Sequence, residues 1–274
     1  MSHILDRQQL TRRTRLYASR GFQSATGRRL RHNCLFFHLP KCGGTSLAAA
    51  LYGTVPLHQR IGVIDALATR RAAAIRHLGV DDAIACHEDL PNGHLTFALR
   101  ENLMLTHMAW NTPLIHGHML FSTSAAKHFG GAYKAVSMMR DPVERSISNY
   151  RMAVRAGVIA DDVDAWLNGP VGKSMTQVYL RYFSGRNVVG ENDTQACLSE
   201  AVNNLSRFAL IGFIDQQTRF CRSFSDLFGP NLSLPRYNIG AGPELQLNAD
   251  QRQRLDALCA PDQEVFARAR SLFE

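Results

Sequence analysis

Residues 34–44 read Cys34-Leu35-Phe36-Phe37-His38-Leu39-Pro40-Lys41-Cys42-Gly43-Gly44, and a stretch with helical spacing, 45–52, follows. The first six residues form an apolar run of strand length, a proline and two glycines end it, and the chain then resumes with helix formers. Strand, glycine turn and helix in that order open a parallel α/β unit. Small residues in such a turn let backbone N–H groups converge on an anion in front of the helix N-terminus, where the helix dipole is positive. Lys41 adds a cation, and Thr45 and Ser46 add hydroxyl donors. The order differs from G-x-x-x-x-G-K-[ST], in which the lysine follows the glycines, and this disfavours an ATPase loop of that kind. Taken alone, the turn also fits a tight strand-to-helix connection without a ligand.

Outward from this unit, 112–116 and 133–139 are two more short apolar runs suited to buried strands, each followed by a helical pattern, 122–129 and 143–156. Asp141 and Pro142 stand where an N-cap and a first-turn proline belong. Residues 62–78 have helical spacing. Further on, 162–181 and 193–205 read as helices, 208–213 as one more buried strand and 215–228 as a helix. A loop rich in Asn, Gly and Pro covers 230–243, and two helices, 248–259 and 261–273, end the chain. Alternating strands and helices predict an α/β fold with a central, mainly parallel sheet and helical insertions, a single domain over 34–274 preceded by a basic arm, 1–33.

With 274 residues, 45% hydrophobic and 20% charged, the composition is that of a globular protein. No run approaches the roughly 18 apolar residues of a membrane helix, and the first residues lack a secretory apolar core, so a cytoplasmic location is expected. The net charge of +8 is almost all in the arm, where eight arginines face one acidic residue, Asp6. The nearly neutral body gives no reason to expect a nucleic-acid partner. The arm reads as a flexible basic segment that collects an acidic partner, as an organelle transit sequence, or as neither. The six cysteines (34, 42, 86, 197, 221 and 259) form no C-x-x-C pair, so free thiols are expected, mostly as small buried hydrophobes.

A second motif runs Met139-Arg140-Asp141-Pro142-Val143-Glu144-Arg145-Ser146-Ile147-Ser148-Asn149-Tyr150, again where a strand meets a helix. By itself it fits a capped helix with ion pairs among Asp141, Glu144 and Arg145. The two motifs together, 99 residues apart from Lys41 to Arg140, resemble the signature of sulfotransferases that use 3′-phosphoadenosine 5′-phosphosulfate (PAPS). The resemblance implies a P-loop-like three-layer fold. It also implies a 5′-phosphosulfate site formed by Lys41, Cys42, Gly43, Gly44, Thr45 and Ser46, and a 3′-phosphate site formed by Arg140 and Ser148.

Leu114-Ile115-His116-Gly117-His118-Met119 is similar to the Y-H-G-H segment of uronyl 2-O-sulfotransferases. That likeness implies His118 as the general base, with His116 in support, and Lys41 stabilising the oxygen that bridges sulfur and phosphorus. Which of the two histidines is the base stays open, and a histidine with an ordinary pKa near 6.5 suits the role. Weaker similarity continues through 179–185, 208–213 and Asn238-Ile239-Gly240, a loop that in the family closes over the nucleotide. Ile115 stands where the family has tyrosine, and Cys42-Gly43-Gly44 also departs from its animal members. The expected acceptor is therefore a hydroxyl of a carbohydrate, glycoconjugate or small metabolite, with a soluble bacterial relative favoured over a Golgi enzyme.

No metal is expected, although His116 and His118 on one strand face, with His107 as a third ligand, also fit zinc. Two other functions stay open. One is a non-catalytic glycan-binding protein on the same scaffold, and the other is a P-loop nucleotide phosphotransferase working with ATP and magnesium. Cys86-His87-Glu88-Asp89 reads as the start of a polar loop, and Asp161, Asp162 and Asp164 as a solvated helix start.

Overall fold

The computed structural model describes residues 7–234 and 245–274. Its strands are β1 (Asn33–Phe37), β2 (Ile61–Ile64), β3 (Leu114–Gly117), β4 (Tyr133–Met139) and β5 (Phe208–Phe213). Its helices are α1 (Arg7–Thr26), α2 (Gly44–Tyr52), α3 (Ala66–Leu78), α4 (Gly93–Ala109), α5 (Thr123–Phe129), α6 (Pro142–Arg155), α7 (Val163–Asn168), α8 (Pro170–Thr176), α9 (Val178–Ser184), α10 (Thr194–Leu205), α11 (Gln217–Phe228) and α12 (Ala249–Phe273).

The five strands form one sheet in the order β2-β3-β1-β4-β5, and every neighbouring pair is parallel. Side chains of a strand alternate between faces, and β1 shows what each face meets. Cys34 and Phe36 pack with Leu47 and Leu51 of α2 and with Phe220, Phe224 and Phe228 of α11. Leu35 and Phe37 pack with Phe97 and Met104 of α4, Phe183 of α9 and Val265 of α12. Helices thus cover both faces, giving three layers, and a stretch buried on both sides must be apolar, as Cys34, Leu35, Phe36 and Phe37 are.

Topology sets the position of the cleft. From β1 the chain departs toward β2, and from its neighbour β4 it departs toward β5 on the opposite side. Connections that diverge from adjacent parallel strands leave a crevice at the strands' carboxyl ends. Register brings three residues to that edge together, because Phe37 pairs with both Gly117 and Ser137, so His38, His118 and Arg140 all lie just past their strand ends.

Several sequence expectations need correction. Residues 61–64 are a strand, not the start of a helix; the helix begins only after Asp65, whose carboxylate accepts a hydrogen bond from Ala68 N at 2.7 Å. The stretch 162–181 is broken at Gly169 and Gln177 into α7, α8 and the start of α9. Conversely, 248–273 forms one continuous helix through Pro261. An internal proline costs about 3 kcal/mol, but here Leu255, Cys259, Val265, Phe266 and Ala269 share a buried face on both sides of it. The α4 helix carries no segment expected from the sequence. Residues 7–26 of the basic arm are helical, and Arg20 donates to the carbonyls of Val55, Pro56 and Gln59 at 2.9–3.0 Å, anchoring α1 to the loop after α2. That guanidinium closes a loop and is not free to collect a partner. No helix among the described residues is long and apolar enough to cross a membrane.

Candidate active site

The crevice holds a cavity of about 440 Å³ whose lining includes Lys41, Cys42, Gly43, Gly44, Thr45, Ser46, Arg140, Ser148 and His118. Both sequence motifs therefore face one space, within the size range of small-molecule sites. Asn238-Ile239-Gly240 lies outside the described residues.

The turn after β1 is built by two left-handed residues, Lys41 at φ 64° and Gly43 at φ 72°. Gly43 adopts this backbone without cost, whereas Lys41 holds an uncommon conformation for a residue with a Cβ. The hydroxyls of Thr45 and Ser46 make no hydrogen bond to the described residues, nor does that of Ser148. Asn149, beside Ser148 and 3% exposed, lines the cavity with its Nδ2 donor buried and unpartnered. An unmade buried hydrogen bond costs about 1–3 kcal/mol, and such a donor is normally satisfied by something bound.

Cations collect at this end. Burial lowers the pKa of Lys41, and the nearby charges of Arg155, Arg140 and Arg151 lower it further. Glu144 is the one carboxylate paired with any of these groups among the described residues, 3.1 Å from Arg140 Nε. Three guanidiniums close enough to lower the pKa of Lys41 make this end of the cavity electropositive, which favours anions.

Tyr179 fastens the two motifs together. Its hydroxyl receives the Arg140 N–H at 2.8 Å, donates to the Arg140 carbonyl at 2.5 Å and lies 3.3 Å from Cys42 Sγ. Burial pushes the Cys42 thiol up to about 11, so the cysteine packs and does not react at neutral pH. Arg145, which the sequence offered as an ion-pair partner of Asp141 and Glu144, is fully buried. It stacks over the Tyr179 ring at 5.4 Å and faces Asp262 at 3.6 Å. Asp262 in turn accepts the N–H groups of Tyr179 and Leu180 at 2.9 and 2.8 Å. Burial raises that carboxyl to about 6, against the opposing pull of Arg145 and the two amides.

The histidines separate in position. His118 lines the cavity, but His116 lies behind it with both ring nitrogens engaged, Nδ1 2.8 Å from Tyr52 Oη and Nε2 3.0 Å from His38 Nδ1. His38 stacks on His118 with ring centroids 4.3 Å apart. His107 is elsewhere, packed against Gly62 and edge-on to Trp110. The ordinary pKa expected of a histidine base does not hold here. Burial, then Arg100, push His118 down to about 3 despite the nearby Glu88 carboxylate, and burial pushes His116 down to about 4. His118 Nδ1 is buried without a partner, so an imidazolium there would carry an unsatisfied N–H.

The far wall comes from the segment set aside as a polar loop. His87, Glu88 and Asp89 line the cavity with Arg70 and Tyr182. Glu88 is bound by Arg70 at 2.7 Å and by Arg100, which is fully buried. Burial alone would raise the Glu88 carboxyl, but these two guanidiniums outweigh it and hold it well below the usual carboxylate range. Arg100 also donates to the His118 carbonyl at 3.1 Å, which ties the position of His118 to this buried ion pair. Asp89 is held by Arg181 at 2.7 Å and Ser174 at 2.9 Å.

Sequence reasoning missed His38, Tyr52, Asn149, Glu88 and Arg100. The one local signal was the density of ionisable groups in His87-Glu88-Asp89; His38, Tyr52 and Arg100 acquire their roles through partners 18 to 78 residues away, and Asn149 through its place on the cavity wall. No family model matches the chain, and none of the curated proteins matches it.

Proposed function

We propose that the protein is a PAPS-dependent O-sulfotransferase on a P-loop-like scaffold, acting on a hydroxyl of a carbohydrate or other acceptor, in keeping with the resemblance of its motifs to the carbohydrate branch of that family. The observation that carries this reading is the convergence of Lys41, Arg140, the hydroxyls of Thr45, Ser46 and Ser148, the N-terminus of α2 and His118 on one cavity.

The residues fit a nucleotide carrying phosphates at two positions. The glycine turn with Lys41, Thr45 and Ser46 would hold the 5′ end, and Arg140 with Ser148 the 3′-phosphate; all five residues line the one cavity. The orphaned Asn149 amide supplies a further donor beside Ser148. The bound donor would supply a sulfuryl group whose sulfur exchanges the bridging phosphate oxygen for the acceptor oxygen. Lys41 and the backbone N–H groups of the turn stabilise negative charge as it develops at the departing end. His118, held neutral by its burial, takes the acceptor's proton on the wall of the same cavity. Its depressed pKa makes it a weak base by itself, and anionic charge drawn in by Lys41 and Arg140 raises that basicity. Because His116 has no place on the cavity wall, His118 is assigned the proton transfer and His116 a supporting part.

Calorimetric titration with 3′-phosphoadenosine 5′-phosphate (PAP), against AMP and ATP and with and without magnesium, tests the reading. Binding that depends on the 3′-phosphate and weakens in Arg140→Ala is expected. Preference for ATP with magnesium would replace the reading by a phosphotransferase. Nucleotide binding absent alongside binding of an acidic glycan would replace it by a glycan-binding protein.

A further inference from the structure

His38 belongs to neither motif, yet its surroundings are the most constrained in the cleft. Its Nδ1 is 3.0 Å from His116 Nε2, whose other nitrogen is 2.8 Å from the Tyr52 hydroxyl. One face of its ring stacks on His118. Its Cδ2–Nε2 edge lies against Gly44, so closely that a Cβ there would stand 1.9 Å from both atoms. The ring thus sits between His118 and the glycine turn, and Nε2 makes no hydrogen bond to the described residues.

The chain Tyr52, His116, His38 has a direction. A phenol O–H is a good donor and a poor acceptor, whereas a neutral imidazole offers one strong acceptor nitrogen and one N–H. Tyr52 therefore donates to His116 Nδ1, which puts the His116 proton on Nε2. That N–H donates to His38 Nδ1, which leaves the His38 proton on Nε2, facing the turn. The reverse polarity would present a bare nitrogen lone pair to a space already selected for anions by Lys41 and Arg140, and two lone pairs repel.

We propose that His38 is a further residue of the transfer site, an N–H donor at Nε2 to the sulfuryl oxygens, and that Tyr52 and His116 are positioning residues that fix its proton there. The ligand assigned to this donor rests on the sulfotransferase reading; the direction of the chain does not. As a donor to an anionic oxygen, His38 favours PAPS over PAP, because only PAPS carries the sulfuryl group.

The test has two independent arms on the full chain. Long-range ¹⁵N–¹H spectra of histidine-labelled protein should show the His38 proton on Nε2 in the wild type and a shift toward mixed tautomers in Tyr52→Phe, whose changed hydroxyl lies outside the cavity. A wild-type proton on Nδ1 overturns the proposal. In calorimetry, His38→Ala should weaken PAPS by roughly tenfold or more, the worth of a hydrogen bond to a charged group, while leaving PAP within about twofold. His38→Gln, which keeps an N–H near the Nε2 position, should recover much of the loss. Equal weakening of PAPS and PAP, or none, refutes the donor role. If neither nucleotide binds the wild type, the sulfotransferase reading fails, and the tautomer alone decides the direction of the chain.

Discussion

Substituting Gly44→Ala tests the packing of the cleft directly. Gly44 opens α2 and does not depend on a left-handed backbone, so alanine there should gain up to about 1 kcal/mol from helix propensity if nothing else intervened. The structure reverses that expectation. The new Cβ would lie 1.9 Å from Cδ2 and Nε2 of His38, where ordinary contact begins at 3.4 Å, so the ring must withdraw by about 1.5 Å. Its hydrogen bond to His116 and its stack on His118 stand in the way. Overpacking of this kind costs about 1–3 kcal/mol and the broken hydrogen bond about 0.5–1.5 kcal/mol. After subtracting the propensity gain, Gly44→Ala should destabilise the protein by about 1–3 kcal/mol. Urea unfolding followed by circular dichroism gives the number. The control is the same substitution in a His38→Ala background, where the obstacle is gone and Gly44→Ala should be neutral or stabilising, so that the two sites couple by about 1–3 kcal/mol. An equal cost in both backgrounds, or no cost in the wild type, would refute the contact as the cause.

Other consequences are as concrete. Tyr179→Phe removes the hydroxyl that joins Cys42 to Arg140; a loss of about 1–2 kcal/mol in urea unfolding and weaker PAP binding are expected, and unchanged binding would show that the turn and Arg140 are held without it. Glu88→Ala leaves Arg100 buried and opposite no carboxylate, which should cost about 3–5 kcal/mol, read as a lowered melting temperature; a loss under about 1 kcal/mol would contradict the pairing. Between about pH 6.5 and 4 the unfolded state binds a proton at His116 that the folded state refuses, so stability falls as pH falls, by about 3 kcal/mol from this residue. Asp262, raised to about 6, works in the opposite sense over much of that range, so the quantity to measure is the difference in acid sensitivity between the wild type and His116→Asn. The variant should lose less stability between pH 7 and 4, and parallel curves would show that His116 titrates normally.

What could be read from the residues was local. The run 34–39, its glycine turn and the following helix lie together in sequence, and so do Asp141 and Pro142 at the start of α6, where the Asp141 carboxylate accepts from Val143 and Glu144 as a cap should. The strands at 133–139 and 208–213 were legible because most of their residues are apolar and their carboxyl-terminal halves are buried on both faces. Periodicity failed where a neighbour decided the outcome. Ile61–Ile64 becomes a strand because β3 is there to pair with it, and Pro261 stays helical because apolar residues before and after it share one buried face.

The candidate site divides in the same way. Lys41, Arg140, Ser148 and His118 were singled out by the resemblance of short motifs, and a short motif is itself a local object. Their meeting in one cavity follows from the strand order, which sets β1 between β3 and β4 and brings the three carboxyl ends to one edge of the sheet. Only the tertiary structure decided that His118 meets the cavity while His116 does not, that His38 is its stacked partner, and that Arg100, paired with Glu88, holds its carbonyl. The physical reason is that burial, and the pKa shifts and hydrogen-bond directions it imposes, belong to the set of atoms surrounding a group. For these side chains that set is drawn from segments far apart in the chain.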